Sequence, residues 1–411
     1  MLIAFLFSLL QTGLMAVTSA QGIEPQNGAL IEKVVCRAKA DQSYSLYLPT
    51  KYTPERKWPI LYAFDPGARG QIPVERFRNA AEQYGWIVVG SNNSRNGPNK
   101  LAVDAFEAMW QDTHERFAID DRRAYAAGFS GGARAAVGLA VYCNGCLTGI
   151  IASGAGFHSQ VGASQKLPFV FFATVGTDDF NFPELKELEG KLVKAGATHR
   201  LTVFSGDHDW LPAELAVEAV QWMELEAMKT GRREKDPAVI ESLWQARLAA
   251  ARASEDAGQQ YDAYRRYLSM SQDFSGFRDV ATVTEKAESL RETRDVRKSL
   301  SDEKEEISKQ RSTENRIMGL LSQSRDPDAR LTALPELKAS LRVLNKQAKD
   351  TQDTSQRRVA RRVMRTLVVA AYERADQSLR AENYSAAISN FEFATEVAPE
   401  NPRLFFELSC A

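Results

Sequence analysis

The chain reads Ala124-Tyr125-Ala126-Ala127-Gly128-Phe129-Ser130-Gly131-Gly132, and an alanine-rich stretch, residues 133–142, follows. An apolar run, Gly-x-Ser-x-Gly and then a helical stretch is the order of a nucleophile elbow, in which the serine lies on a strained turn between strand and helix. Both glycines are needed because the neighbouring backbone comes too close for a Cβ atom. The five-residue pattern alone arises by chance in roughly one chain in ten of this length. The surrounding sequence therefore decides whether Ser130 is a nucleophile.

Short apolar runs alternate with amphipathic stretches around this motif. Several runs are apolar throughout, as strands covered on both faces must be. The alternation predicts a domain of the α/β class, a mostly parallel sheet with crossover helices, which we place at residues 21–229. The predicted strands are 59–64, 87–90, 125–129, 149–153, 169–175 and 201–204, and the predicted helices are 101–117, 183–195 and 212–228.

A different pattern begins after a polar segment with Gly and Pro, residues 230–237, which predicts a linker. Residues 238–411 lack β-branched runs and are rich in good helix formers, so they predict an all-α helical-repeat domain. Residues 368–402 resemble a tetratricopeptide repeat in their spacing of alanine, phenylalanine and proline, and 256–270 resembles a weaker copy. Since one helical hairpin cannot bury both faces, the resemblance implies packing on neighbouring helices, on the α/β domain or on a protein partner.

Two charged stretches of the helical region are expected to face solvent. Residues 284–316 are highly charged with sparse apolar positions, and the alternative, a coiled-coil partner site, is disfavoured because no heptad is sustained. A basic stripe at helical spacing lies further on, and such stripes are usually hydrated, with an anionic surface as the alternative partner. The stripe consists of Arg357, Arg358, Arg361, Arg362 and Arg365.

The N-terminal segment has the pattern of an export signal. Residues 1–20 are almost wholly apolar and close with Thr18-Ser19-Ala20, small residues of the kind that precede a cleavage site. The segment predicts an exported, periplasmic or secreted protein. If it is not cleaved, it would be a membrane anchor and the chain's membrane contact.

The composition and the cysteine positions argue against two classes of function, nucleic-acid binding and redox chemistry. Lys plus Arg total 52 and Asp plus Glu total 53, so the charge balance gives no sign of a nucleic-acid binder. In an oxidising compartment Cys143 and Cys146 could close a small loop. A redox centre is disfavoured because the pair follows a helix instead of preceding one.

A serine nucleophile needs a base and a carboxylate that orients the base, expected here in the order Ser, acid, His. The chain has four histidines. His114 precedes the serine, His158 precedes the strand with the candidate acids, and His199 begins an apolar strand. His208 lies on a glycine-containing loop between a predicted strand and a predicted helix, which makes it the candidate base.

The candidate acids follow the strand at 169–175, where Asp178 and Asp179 compete. At this point the sequence resembles the α/β-hydrolase superfamily, specifically exported esterases related to polyhydroxybutyrate depolymerases and feruloyl esterases. In these, the acid follows Gly-x-x and the histidine lies in Gly-Gly-His-x-Trp, which the segments ending in Asp179 and Trp210 match. The resemblance implies Asp179 as the acid, with Asp178 as a helix cap or a residue behind the acid.

Two departures from that family concern the surroundings of the triad. The second glycine of the histidine motif is Asp207, whose charge could perturb the loop. The His-Gly-Gly oxyanion motif is missing too. We expect one oxyanion donor to be the amide of Gly131 and the other to be that of Gly67 or Ala68, since Pro66 has no N–H.

The motifs together predict a serine hydrolase that cleaves carboxylic esters through Ser130, His208 and Asp179 without a metal or an organic cofactor. The short segments between the three residues leave no room for a large lid, so small or polymer-end esters are the expected substrates. A non-catalytic scaffold and a serine peptidase on the same fold are the alternatives.

Overall fold

A computed structural model describes residues 26–157, 162, 167–324, 326 and 328–410. The predicted signal segment, residues 1–20, and His158 lie outside the described residues. No helix of the described ranges is long and apolar enough to cross a membrane.

Eight strands of the described chain form one sheet, in the order β1-β2-β4-β3-β5-β6-β7-β8. The first two pairs in that order, β1 with β2 and β2 with β4, are antiparallel, and all others are parallel. The strands are β1 Leu30–Val35, β2 Ser43–Tyr47, β3 Trp58–Phe64, β4 Ile87–Ser91, β5 Ile119–Phe129, β6 Gly149–Ser153, β7 Val170–Gly176 and β8 His199–Phe204.

Five crossover helices cover both faces of this sheet. One face packs on α2, α3 and α4, and the other on α1 and α5. Successive β3 residues alternate between the two cores, with Tyr62 in the first and Leu61 and Ala63 in the second. This two-sided burial explains the continuously apolar strands. The helices are α1 Gln71–Tyr84, α2 Asn99–Arg116, α3 Gly131–Tyr142, α4 Phe182–Lys194 and α5 Ala213–Lys229.

The rest of the described chain is helical. Asp236 caps the first of these helices by accepting from the amides of Ala238 and Val239. One apolar cluster joins the end of α5, through Leu225 and Met228, to α6, α7 and α8, and a second cluster joins α9 to α13. The helices are α6 Pro237–Asp256, α7 Gln260–Phe274, α8 Ala281–Arg291, α9 Arg294–Gln323, α10 Arg330–Ala348, α11 Ser355–Arg380, α12 Tyr384–Val397 and α13 Pro402–Cys410.

The residues that predicted a tetratricopeptide repeat lie on two successive helices, α11 and α12. Ala375 of α11 and Ala387, Phe391 and Ala394 of α12 are all buried. A short turn, with Asn383 capping α12, joins the two helices. The tetratricopeptide assignment and the domain boundaries stay predictions.

Two sequence expectations can be compared with the structure, and one of them changes. Cys143 and Cys146 form a disulfide just after α3, which fits the small loop expected of them. The charged stretch 284–316 is only partly solvated, because Glu306 is buried beside Arg358 and Arg362 of α11 and Gln310 is buried against the α/β domain. Gln310 Nε2 donates to the carbonyl of Phe180 at 3.0 Å, a contact between residues 130 positions apart that local periodicity does not reveal.

Candidate active site

Ser130 lies on the sharp turn between β5 and α3, with φ 52° and ψ −121°. A Cβ atom on Gly128 would lie 2.1 Å from the carbonyl oxygen of Gly132, and one on Gly132 would lie 2.0 Å from that of Phe64. Real Cβ atoms do not approach backbone this closely. The two glycines therefore permit the close packing of strand, turn and helix that presents the serine at the carboxyl edge of the sheet.

His208 lies on the loop between β8 and α5. Its Nε2 atom is 2.9 Å from Oγ of Ser130, within hydrogen-bond distance. The imidazole ring lies between Phe129 and Phe180, with ring centroids at 4.6 and 4.4 Å. The aromatic contacts restrict the ring and shield it from water, which leaves 13% of the side chain exposed.

Asp179 lies on the loop after β7 and is fully buried. Both its carboxylate oxygens are 3.0 Å from Nδ1 of His208, and Oδ1 also accepts from the amide of Asn181 at 2.8 Å. The structure thus places Asp179, His208 and Ser130 in one chain of hydrogen bonds. A carboxylate on Nδ1 leaves Nε2 free to accept the serine proton.

Gly154 makes this contact possible, although no sequence motif pointed to it. A Cβ at this position would be 3.0 Å from both Oδ2 of Asp179 and Nδ1 of His208, and its φ is +63°. Only glycine combines that backbone conformation with the space required.

The sheet-and-helix part of the chain has the α/β-hydrolase fold. The whole chain matches no protein-family model and no curated protein. Among solved structures it is similar to S-formylglutathione hydrolase of Staphylococcus aureus, at 15% identity over 49% of this chain and 99% of that one, with a TM-score of 0.40.

Two further structures are similar at the same level. A ferulic acid esterase of Anaeromyces mucronatus matches at 17% identity over 49% of this chain and 91% of that one, with a TM-score of 0.36. An esterase of Thermogutta terrifontis matches at 14% identity over 50% of this chain and 96% of that one, with a TM-score of 0.37. At these identities and TM-scores the similarities carry no argument about the chemistry of this chain, which follows from its own residues.

The other histidines of the described chain lie elsewhere. His114 on α2 contacts the carbonyl of Trp110 at 2.7 Å and Asp121 at 2.9 Å, and His199 contacts the carbonyl of Ala197 at 2.7 Å. Neither is hydrogen-bonded to Ser130.

Asp178 points away from the triad. Its Oδ2 accepts from Arg361 Nη1 at 2.9 Å and from Arg357 Nη2 at 3.1 Å. The expectation that Asp178 caps a helix is wrong, because α4 begins at Phe182 with Asn181 in the N-cap position. Asp178 instead lies beside Asp179 and faces α11, which agrees with the expectation of a residue behind the acid.

Two of the three amides expected to form the oxyanion hole already donate hydrogen bonds within the protein. Gly131 is the first residue of α3, and the first N–H groups of a helix have no acceptor within it. The amide of Gly67, however, donates to Oδ1 of Asp65 at 2.8 Å, and that of Ala68 donates to the Asp65 carbonyl at 3.1 Å. The prediction that Gly67 or Ala68 offers a free donor is therefore wrong in this conformation, because Asp65 folds the loop into an Asx turn.

Asp65 organises more than its own turn. It is fully buried and accepts from Arg69 Nε at 2.8 Å, from Arg69 Nη2 at 3.0 Å and from Trp210 Nε1 at 2.9 Å. Trp210 belongs to the histidine loop, so Asp65 ties that loop to the β3–α1 loop. The Asp-Pro-Gly sequence could have signalled the turn.

A cavity of about 510 Å³ adjoins the serine turn. Its lining is more apolar than polar and includes Asn96, Ala102, Gly131 and Leu139. The side chain of Asn96 lies directly over Gly131, where a Cβ would meet its Oδ1 at 1.9 Å. A small acyl or alcohol group could occupy this space beside the nucleophile.

The basic stripe of α11 lies against the α/β domain, which overturns the expectation of a hydrated face. Arg362 is 1% exposed, and its Nε donates to the carbonyl of Thr177 at 2.7 Å. Arg365 Nη2 lies 2.6 Å from Oδ2 of Asp207, the residue that departs from the family's glycine. The partners of the stripe include carboxylates and carbonyls of the loops after β7 and β8, which local sequence cannot reveal, together with Glu306 of α9 and Asp353.

Proposed function

We propose that the chain is a serine hydrolase that cleaves carboxylic esters by way of an acyl-enzyme. The observation that carries the proposal is the chain of hydrogen bonds from Asp179 through His208 to Ser130, with distances of 3.0 and 2.9 Å. The strained φ of 52° at Ser130 supports it, because such backbone strain concentrates at functional sites.

The reaction then takes two steps. His208 Nε2 accepts the proton of Ser130 as the Oγ atom attacks the ester carbonyl, and the Gly131 amide donates to the developing oxyanion. The C–O bond to the alcohol breaks as His208 returns that proton to the leaving oxygen. Water, deprotonated by His208, then attacks the acyl-serine, and the bond from the acyl carbon to Oγ breaks as His208 returns the proton to Ser130 and the acid is released. Asp179 holds the imidazole orientation and stabilises its charged form.

The substrates are small esters or the ends of ester polymers. The cavity of about 510 Å³ beside Gly131 supports this, since it accommodates a group of modest size. Export of the protein also stays our proposal. It rests on the sequence of residues 1–20, and the Cys143–Cys146 disulfide supports it because such bonds persist in oxidising compartments. A protein partner for the helical repeats remains a prediction.

Purified protein assayed on p-nitrophenyl acetate, p-nitrophenyl butyrate and alanine p-nitroanilide tests the proposal. We expect the esters to be hydrolysed, the anilide to react far more slowly, and Ser130→Ala to abolish hydrolysis. Ser312→Ala, on the exposed surface of α9, is the matched control. Faster cleavage of the anilide would favour the peptidase, and no turnover of any substrate by the wild type would favour the non-catalytic scaffold.

A further inference from the structure

Three residues around the candidate acid are held by the helical region. Within the loop 177–180, the carbonyl of Thr177 accepts from Arg362 at 2.7 Å, and the carbonyl of Phe180 accepts from Gln310 at 3.0 Å. Oδ2 of Asp178 accepts from two guanidinium groups of α11. The residues on both sides of Asp179 are therefore hydrogen-bonded to α9 or α11.

The histidine loop is held by the same helix. Arg365 pairs with Asp207, which directly precedes His208. The two loops also bind each other, with the Asp178 amide donating to the Gly206 carbonyl at 2.8 Å and the Thr177 amide to that of Phe204 at 2.8 Å. A displacement of either loop would thus move both partners of the Asp179–His208 bond.

The spacing of the arginines places them on one side of α11. Positions i, i+4, i+5 and i+8 project from the same part of a helix, so one rigid element makes all these contacts. The four residues are Arg357, Arg361, Arg362 and Arg365.

Charge and burial explain why the arginines of α11 contact this loop. The side chains of Asp178 and Asp179 are 6% and 0% exposed, so two adjacent carboxylates repel each other where water screens poorly. The guanidinium groups of Arg357 and Arg361 offset that repulsion. Burial lowers the pKa of Arg362 to about 10, against the attraction of Glu306, so its charge persists at neutral pH.

Three contacts restrain the side chain of Arg362. Its guanidinium lies 3.9 Å above the ring of Phe182, its Nη1 is 3.3 Å from Glu306 Oε2, and its Nε holds Thr177. A buried guanidinium with these contacts links α11 rigidly to the loop 177–180.

We propose that α11 is a positioning element of the active site, and that Arg361 acts on Asp179 and His208 through Asp178. The inference rests on the proposed function. It means that the helical region is required for full activity, because it sets the geometry of the triad that the α/β domain carries. The cavity beside Gly131 lies on α2 and α3, away from these contacts, so substrate binding should depend on α11 much less than turnover does.

The test is a double-mutant cycle of Arg361→Ala and Asp178→Ala in the full chain, with ester hydrolysis followed from pH 5 to 9. We expect Arg361→Ala to lower kcat about 10- to 100-fold with KM within about twofold. The acid limb of the kcat/KM profile should move upward, because the Asp178 carboxylate beside Asp179 loses one of its two cations. The double variant should be no slower than the slower single variant, since both remove one contact.

Arg374→Ala, on an exposed position of the same helix, is the matched control and should behave as the wild type. Equal behaviour of Arg361→Ala and Arg374→Ala, or additive effects in the cycle, would overturn the proposal. Arg365→Ala provides a second variant that disturbs folding less, because the Arg365 side chain is 46% exposed. It should shift the same acid limb.

A readout without activity separates this inference from the proposed function. The pH titration of the His208 imidazole by NMR, assigned with His208→Gln, is measurable even in an inactive protein. A wild type that hydrolyses nothing but shows an altered His208 titration in Arg361→Ala would retain the positioning role and reject the esterase. An unaltered titration would reject the positioning role.

Discussion

Trp210 donates its indole N–H to Oδ2 of Asp65 at 2.9 Å, across 145 positions of sequence. The contact joins the loop that carries His208 to the loop that follows β3. Because Asp65 also closes its own turn on Gly67, one buried carboxylate sets the position of both loops relative to Ser130. The tryptophan of the histidine motif thus has a structural reason for its place two residues after the base.

Replacing Trp210 by phenylalanine should therefore lower both stability and turnover. The variant keeps most of the apolar ring but leaves a lone pair of a buried charged group without its donor, which costs about 1.5 to 3 kcal/mol. Urea unfolding and ester hydrolysis measure the two effects. Trp244→Phe, in the helical region, should leave kcat unchanged. Wild-type values for both properties in Trp210→Phe would contradict this account of Asp65.

Asp179→Asn and Asp178→Asn should differ sharply although the residues are adjacent. An asparagine at 179 cannot stabilise the charged imidazole and presents the wrong partner to Nδ1, so kcat should fall about 10³- to 10⁴-fold. Asp178 contacts arginines, so its replacement should lower kcat only about tenfold. Steady-state kinetics on one ester measures both variants. The reverse order would assign the acid to Asp178.

The grouping of Ser130, Asp179 and His208 could be predicted because each residue has a local signature. Ser130, Asp179 and His208 each follow the mostly apolar end of a strand, and the glycines beside them indicate close backbone contacts. The predicted strand 149–153 agrees with β6 residue for residue. Such features depend on a few neighbouring residues, so a single sequence contains them.

Other parts of the fold were missed for physical reasons. In β2 the sequence Ser-Tyr-Ser-Leu-Tyr places two serines on one face, yet every residue is buried because hydroxyl groups find distant partners, as Tyr44 does on Asp112 at 2.7 Å. The start of β5 carries Asp and Arg residues and was not recognised as strand. The stripe on α11 looks like any hydrated basic helix, since two of its acidic partners, Asp178 and Asp207, lie more than 150 positions away.

Asp273→Asn should strongly destabilise the junction between the two parts of the chain. Asp273 of α7 is 2% exposed, is paired with Arg200 of β8 and Arg247 of α6, and accepts from Trp222 Nε1 at 3.0 Å. Removing the charge leaves two guanidinium groups poorly compensated, which costs about 3 to 5 kcal/mol.

Urea unfolding monitored by tryptophan fluorescence measures that loss. Asp262→Asn, on the exposed side of the same helix, should leave the free energy of unfolding within about 0.5 kcal/mol of the wild-type value. A midpoint for Asp273→Asn as high as that of Asp262→Asn would show that the charge cluster contributes nothing.

Glu189 should make the fold acid-sensitive. Burial alone would raise the pKa of Glu189, but Arg265 and Lys186 outweigh it and hold the pKa below its usual range. Since the folded-state pKa is the lower one, the contribution to stability is present above the unfolded value of about 4.3 and is lost as pH falls below it.

Glu189→Gln should therefore lose less stability than the wild type between about pH 5 and pH 3. Urea midpoints measured at several pH values test this, with Glu285→Gln on the exposed side of α8 as the control. Parallel curves for the wild type and Glu189→Gln would contradict the expectation.

Covalent labelling of Ser130 tests the central claim most directly. A fluorophosphonate reacts with a serine only where a base activates it, so intact-mass analysis should show one adduct per wild-type chain. Peptide mapping should place that adduct on Ser130, and neither Ser130→Ala nor His208→Gln should be labelled. Equal labelling of the wild type and Ser130→Ala would contradict the claim that Ser130 is the nucleophile.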